Sequence, residues 1–261
     1  MQIQFTKYHG AGNDFILIDD RSLDFPEHDS GLISSMCHRR FGIGADGLIL
    51  LQNHTDFDFE MKYFNSDGFE GSMCGNGGRC IVHFARELNI ISDRCHFMAM
   101  DGHHKGSFIG DEISLTLSNV QQVRKWESQY FMDTGSPHLV LFTENIDEVN
   151  VIEQGREHRY NKSISDTGCN VNFLEIIGKN SIKIRTYERG VEDETWACGT
   201  GSVASALAYS LTSGNSDGEN SIRVQTKGGL LKVSFTQSAG LFTNVILQGF
   251  ATKVFTGDFI V

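Results

Sequence analysis

MCGNGG at 73–78 and ACGTGS at 197–202 are two copies of one phrase. In each, a cysteine (Cys74, Cys198) precedes a Gly-x-Gly turn that runs into an apolar, helix-like stretch. A thiol so placed sits at the positive end of a helix dipole, beside backbone N–H groups that the helix itself does not use. Those surroundings lower a thiol pKa and bind anions. Two such thiols, one from each half, suggest a pair of proton-transfer groups serving one small acidic substrate.

The repeat reaches beyond the cysteines, which are 124 residues apart (198 − 74). At the same shift Asp14-Phe15-Ile16-Leu17 falls on His138-Leu139-Val140-Leu141, and Asp46-Gly47-Leu48 falls on Asn170-Val171-Asn172. With a slip of one residue, Tyr63-Phe64-Asn65 falls on Thr186-Tyr187-Glu188. Gly102-x-x-Lys105-x-Ser107-Phe108 matches Gly229-x-x-Lys232-x-Ser234-Phe235 at a shift of 127. Order and nearly constant spacing point to an internal duplication. The period is far too long for a solenoid, so two similar domains are expected.

A chain of 261 residues can supply two domains that each build their own core. The net charge of −11, with no basic run longer than Arg39-Arg40, argues against nucleic acid as a partner. No apolar run approaches the ~18 residues of a membrane span. The opening MQIQFTKYHG reads as a strand, so a cytoplasmic setting is the expectation. Of the six cysteines, none forms C-x-x-C, and Cys37, Cys80, Cys95 and Cys169 read as small core residues. No metal site is read: His103-His104-Lys105 is assigned to a solvated loop at a hairpin turn.

Strand-like runs dominate, among them 2–7, 15–20, 48–52, 58–64, 172–177, 182–187 and 230–235. Helices are expected at 30–40 and 151–160. Two more, 78–88 and 202–211, are apolar around most of their circumference, which marks buried helices. The expected class is therefore α/β of the α+β kind. Two pseudo-symmetric domains are each a curled, mostly antiparallel sheet around a central helix.

HGAGNDF (9–15), FGIGADG (41–47), FNSDG (64–68), MCGNGGRC (73–80) and YERGVEDETWACGTG (187–201) together resemble the diaminopimelate epimerases, in order and over essentially the whole chain. That resemblance implies a cofactor-independent epimerase interconverting LL- and meso-diaminopimelate, in lysine biosynthesis and cell-wall precursor supply. Its partner is then this small molecule, with a homodimer as a candidate assembly. It also implies an active site between the two halves and a C-terminus that returns to the first domain. The expected domains are 1–118 with 252–261, and 119–251.

By the same resemblance Cys74 and Cys198 are the acid–base pair, and Asn13, Asn65, Asn170, Glu188 and Arg189 belong to the pocket. The backbone at Gly75, Asn76, Gly199 and Thr200 would receive the substrate carboxylate. Arg189 suits a distal carboxylate, Glu188 an ammonium and the tuning of Cys198, and His138 a place near the first cysteine. The chain departs from the family pattern at Ser136, Gly47 and Thr200, where Asn, Gln and Ser are common. A proline or hydroxyproline racemase is the nearest rival, disfavoured by Asn76 where those resemble C-G-H-G. A non-catalytic amino-acid-binding protein is the rival from another class, and it has no need of two thiols.

Overall fold

Ala11 and Gly12, at φ 53° and 83°, turn β1 (Gln2–Gly10) into antiparallel β2 (Asn13–Asp19), with Tyr8 opposite Phe15. Consecutive left-handed residues suit the twist of the strands they join. The computed structural model describes residues 1–71, 73–214 and 217–261, and the chain divides into two units, 1–115 with 249–261 and 116–248.

In the first unit α1 (Ser30–Cys37) follows β2, and β3 (Gly47–Gln52) returns parallel to it. Next come β4 (Phe59–Asn65), antiparallel to β3, and α2 (Gly75–Glu87). Then β5 (Arg94–Ala99) lies parallel to β4 and leads into the antiparallel β6 (Gly102–Ile109) and β7 (Glu112–Thr116). Phe15, Ile16, Leu17 and Ile18 are all buried because β2 is covered on both faces. Ile16 and Ile18 share a core with Leu32, Ile33 and Met36 of α1. Phe15 points the other way and, with Ile49 and Met61, meets α2 at Gly77. An unbroken apolar run is what a doubly covered strand requires. The central helix α2 packs against β1, β2, β3, β4 and β6, so the sheet curls around it.

The second unit opens on β8 (Val123–Trp126), β9 (Gln129–Asp133) and β10 (Pro137–Phe142), all antiparallel neighbours. After α3 (Val151–Arg159), β11 (Asn170–Gly178) runs parallel to β10 and β12 (Ser181–Glu188) antiparallel to β11. The short β13 (Asp193–Thr195) precedes α4 (Gly199–Ser213). The unit closes with β14 (Gly218–Thr226), β15 (Gly229–Ser238) and β16 (Leu241–Gly249). The last strand, β17 (Thr252–Ile260), pairs antiparallel with β1.

The ladders carry the duplication. Phe15 pairs with Gly47 in the first unit and Leu139 with Val171 in the second, both members shifted by the 124 residues that separate the cysteines. Ala99 opposite Gly102 and Thr226 opposite Gly229 repeat at 127. Between β3/β4 and β11/β12 the correspondence slips by two residues, not one: Asn65 opposite Gly47 matches Tyr187 opposite Val171.

Three local readings need correction. α1 stops at Cys37, not at residue 40, because His38 turns extended and Arg39 leaves to bond Asp14 and Asp46. The two central helices begin at Gly75 and Gly199, three residues earlier than the apolar pattern suggests, because the Gly-x-Gly segment is itself the first helical turn. His103-His104-Lys105 is no solvated loop: it lies in β6, and strand alternation sends His104 inward, against Phe97 and bonded to Asp101 at 3.0 Å.

Candidate active site

Cys74 and Cys198 occupy the same position in their units, the extended residue that caps a central helix (φ −94°, ψ 127° and φ −112°, ψ 117°). The first intrahelical bonds run from Gly78 N–H to the Cys74 carbonyl (2.7 Å) and from Ser202 N–H to the Cys198 carbonyl (2.9 Å). The preceding N–H groups, on Gly75, Asn76, Gly199 and Thr200 among others, therefore point out of the helix ends rather than along them. At Cys198 the sulfur itself caps the helix, accepting from Gly201 N–H at 3.4 Å. Gly201 must lack a side chain, since a Cβ would collide with Asn172 Oδ1.

In the first unit the sequence-expected Asn13, Cys74 and Asn76 meet. The Cys74 thiol donates to Asn13 Oδ1 at 3.5 Å, and Asn76 Nδ2 donates to the same oxygen at 3.1 Å. Asn13 is held from behind: its Nδ2 donates to Asp46 Oδ2 at 2.7 Å, and Asp46 and Asp14 both bind Arg39. Burial works to raise the Asp14 carboxyl, but bonds from Arg39 and Lys7 outweigh it and hold it at about 2. Asn65 ends β4 and accepts from Gly68 N–H (2.9 Å) in a turn, with its amide beside Gly71. The Gly47 departure has a steric partner. A Cβ there would lie 2.5 Å from the Tyr63 ring, so Tyr63 fills the space a longer side chain would need.

In the second unit His138, Asn170, Thr200 and Cys198 form one network. The Cys198 sulfur lies 3.5 Å from Thr200 Oγ1, which lies 2.9 Å from His138 Nε2. Ser136 Oγ is 3.0 Å from the same ring nitrogen and accepts from Asn170 Nδ2 at 3.0 Å. Asn170 Oδ1 in turn receives the Arg189 backbone N–H (2.8 Å), which ties the half-buried Glu188-Arg189 end of β12 to the network. His138 is fully buried; burial, with the charge of Arg189 adding to it, pushes the imidazole down to about 3. It is therefore neutral at ordinary pH, and among its bonds the route toward a thiol runs through Thr200 to Cys198.

The two units have diverged at matching ladder positions. Asp14 and Asp46 of the first stand where His138 and Asn170 stand in the second. Acids suit the first because Lys7 and Arg39 face them; neutral groups suit the second because the site is buried. Sequence reading missed Asp46, Asn172, Thr186 and Arg79. Asn172, Thr186 and Arg79 leave a signal: a polar residue in an otherwise apolar strand or helix is buried only if it has bonds to make. The other four thiols are buried and stay protonated at neutral pH. Burial pushes Cys37 and Cys95 up to about 12, Cys169 to about 11 and Cys80 higher still.

Among the described residues no helix is long and apolar enough to cross a membrane. A protein-family model described as diaminopimelate epimerase matches residues 5–106 and 130–253. A diaminopimelate epimerase from Flavobacterium psychrophilum is 48% identical over 254 residues, 97% of this chain and 98% of that one. Among solved structures, a PhzF-family phenazine biosynthesis protein from Bacillus anthracis superposes with a TM-score of 0.80 at 14% identity, covering 100% of both chains. A hydroxyproline epimerase from Agrobacterium vitis gives 0.72 at 15% identity, covering 98% of this chain and 92% of that one. At such identities the structural likeness is one of fold.

Proposed function

The chain belongs to the diaminopimelate epimerase family, and from that premise we propose that it interconverts LL- and meso-diaminopimelate by proton transfer at one α-carbon, without a cofactor. The activity serves lysine biosynthesis. The observation that carries the residue assignment is the repeated cap, one cysteine at the N-terminus of each central helix.

Inversion of an α-carbon needs a base on one face and an acid on the other. In this reading Cys74 and Cys198 take those roles, one as thiolate and the other as thiol. The thiolate removes the α-proton, the electron pair passes into the carboxylate as a carbanion, and the opposite thiol delivers its proton. Atoms and charge balance within the pair, and each turnover exchanges the two protonation states. Charge grows on the α-carboxylate as the proton leaves. Helix N-terminal N–H groups at Gly75, Asn76, Gly199 and Thr200 would stabilise that state more than the ground state.

Asn13, Asn65 and Asn170 would line the pocket, with Glu188 for an ammonium and Arg189 for the distal carboxylate. Arg189 supports this by position: it is half-buried, and its charge reaches His138 and Cys169. We place His138 behind Cys198, linked to it through Thr200, as a neutral, fixed imidazole. Buried thiols outside the cap positions fit a reducing, cytoplasmic setting. The homodimer is proposed on that membership alone.

Purified protein given LL-diaminopimelate, with no pyridoxal phosphate added, is expected to yield the meso isomer on chiral chromatography. Hydroxylamine, which captures pyridoxal phosphate, should leave the rate unchanged. Folded protein that leaves diaminopimelate untouched and racemises proline instead would overturn the assignment.

A further inference from the structure

Arg79 is the largest fully buried side chain among the described residues, and it lies on a helix whose other buried positions are neutral. Its guanidinium curls back toward the helix N-terminus. Nη1 donates to the Gly75 carbonyl at 3.2 Å, Nη2 to Asn76 Oδ1 at 2.8 Å, and Nε to the Phe250 carbonyl at 3.4 Å. Gly10 closes over it, where a Cβ would stand 3.2 Å from Nη2. All three acceptors are uncharged, and among the described residues no carboxylate pairs with Arg79. A buried cation without a counter-charge is strongly disfavoured.

We propose that Arg79 is the positioning residue that keeps Cys74 accessible as a thiolate, and that the Cys74 sulfur is its counter-anion. The inference rests on the epimerase reading, in which Cys74 must serve as base in one direction and acid in the other. Arg79 reaches Cys74 through its neighbours: it holds the carbonyl of Gly75, the next residue, and the amide of Asn76, which shares Asn13 Oδ1 with the Cys74 thiol. Its charge bears on the thiols Cys80 and Cys74. Cys80 is fully buried and held protonated, which leaves Cys74. Asn13 Oδ1, accepting the Cys74 proton, favours the thiol; Arg79 favours the thiolate and, through Asn76, also fixes Asn13. The opposing pulls keep both states within reach.

Charges on the neighbouring elements are either paired or lie away from the guanidinium. On β1, Lys7 bonds Asp14 of β2, Tyr8 bonds His83 and Glu87 at the far end of α2, and His9 Nδ1 takes the Gly12 N–H. Asp19 of β2 pairs with Arg21, and β3 brings no titratable side chain. On β4, Tyr63 stacks edge-on to Phe15, Lys62 pairs with Glu27, and Glu60 lies at the strand's far end. On β6, His103 stacks on Phe57 and Lys105 is exposed, while His104 pairs with Asp101, whose carboxylate also takes the Met73 N–H. On α2 itself Arg86 lies over Phe108, and Lys253 of β17 pairs with Glu87.

The test is the pH dependence of Cys74 alkylation by iodoacetamide in a Cys198→Ala background, read by peptide mass spectrometry. With Arg79 present, the thiolate pKa should lie at least one unit below the ordinary ~8.5 of a free cysteine, and 1 M salt should not move it. Arg79→Gln should slow alkylation at pH 7 about tenfold by raising that pKa one unit or more, and Arg79→Lys should restore most of the rate. An ordinary or salt-sensitive pKa in the Arg79 protein overturns the proposal even if Arg79→Gln fails to fold. So does an unshifted pKa in folded Arg79→Gln. No substrate enters this measurement. Unaltered protein that fails to invert diaminopimelate would sink the epimerase reading separately, and inversion by a Cys74→Ala protein would remove Cys74 from the acid–base pair.

Discussion

Asn172 donates from Nδ2 to Nδ1 of His138 at 3.1 Å, and that bond decides which imidazole nitrogen carries the proton. The amide is locked, because the same Nδ2 donates to the Leu139 carbonyl at 3.0 Å and Oδ1 accepts from the Thr186 hydroxyl at 2.9 Å. The proton of neutral His138 therefore sits on Nε2, facing Thr200 Oγ1. The threonine hydroxyl is left to turn its own hydrogen toward the Cys198 sulfur.

Replacing Asn172 by Leu removes this lock, strands two buried side-chain atoms, His138 Nδ1 and Thr186 Oγ1, and takes one bond from the Leu139 carbonyl. Each stranded group costs roughly 1–3 kcal/mol, so urea denaturation should show a loss of about 3 kcal/mol. A loss under about 0.5 kcal/mol would mean the network carries no stability.

Stability should respond to pH through His138. The folded chain holds its pKa at about 3 against the ordinary 6.5. Between those values the unfolded chain takes up a proton that the folded one refuses. Stability is thus complete above about pH 6.5 and falls by about 1.4 kcal/mol per pH unit below it. Asp14, held at about 2 against the ordinary 3.8, adds a further loss only below pH 3.8. Denaturant melts of His138→Asn should show a slope between pH 4 and 6 that is shallower by about one proton; an unchanged slope contradicts the assignment.

Thr200 links the imidazole to the sulfur by its hydroxyl, so Thr200→Ser and Thr200→Val should part company. Serine keeps the link, and kcat/KM should stay within about threefold. Valine, matched in shape but without the oxygen, should lose about 10²-fold, the lower range for a displaced acid–base group. Equal activities would show the link to be idle.

Arg189, if it grips the distal carboxylate, contributes two charge-assisted bonds that no other side chain reproduces in the same geometry. Arg189→Met should lower kcat/KM for diaminopimelate about 10²-fold, a loss of roughly 3 kcal/mol, carried mainly by KM. Thiol alkylation should be unaffected. A loss confined to kcat would point to a role at the reacting centre instead.

The duplication was legible in the sequence because two cysteine phrases and two paired-strand segments share one spacing, and that spacing reappears in the ladders at Phe15–Gly47 and Leu139–Val171. The buried central helices were legible from their apolar circumference. Their first turns were not, since glycine-rich N-termini look like loops until a cap residue shows where helical bonding begins. His104 was misread because a lone polar pair near a glycine resembles a loop; the inward face of β6 became visible only from its partner Phe97. Asn172 and Arg79 escaped notice for a related reason. Their roles depend on bonds to residues distant in the chain or folded back one turn, and spacing alone does not announce either.

The two-thiol mechanism is tested most directly by running the reaction from LL-diaminopimelate in heavy water and stopping it early. The account expects deuterium at the α-carbon of the inverted product, delivered by a solvent-exchanged thiol, while recovered substrate stays unlabelled because its own face meets the other cysteine. Label appearing equally in recovered substrate and product, or absent from the product, would contradict it.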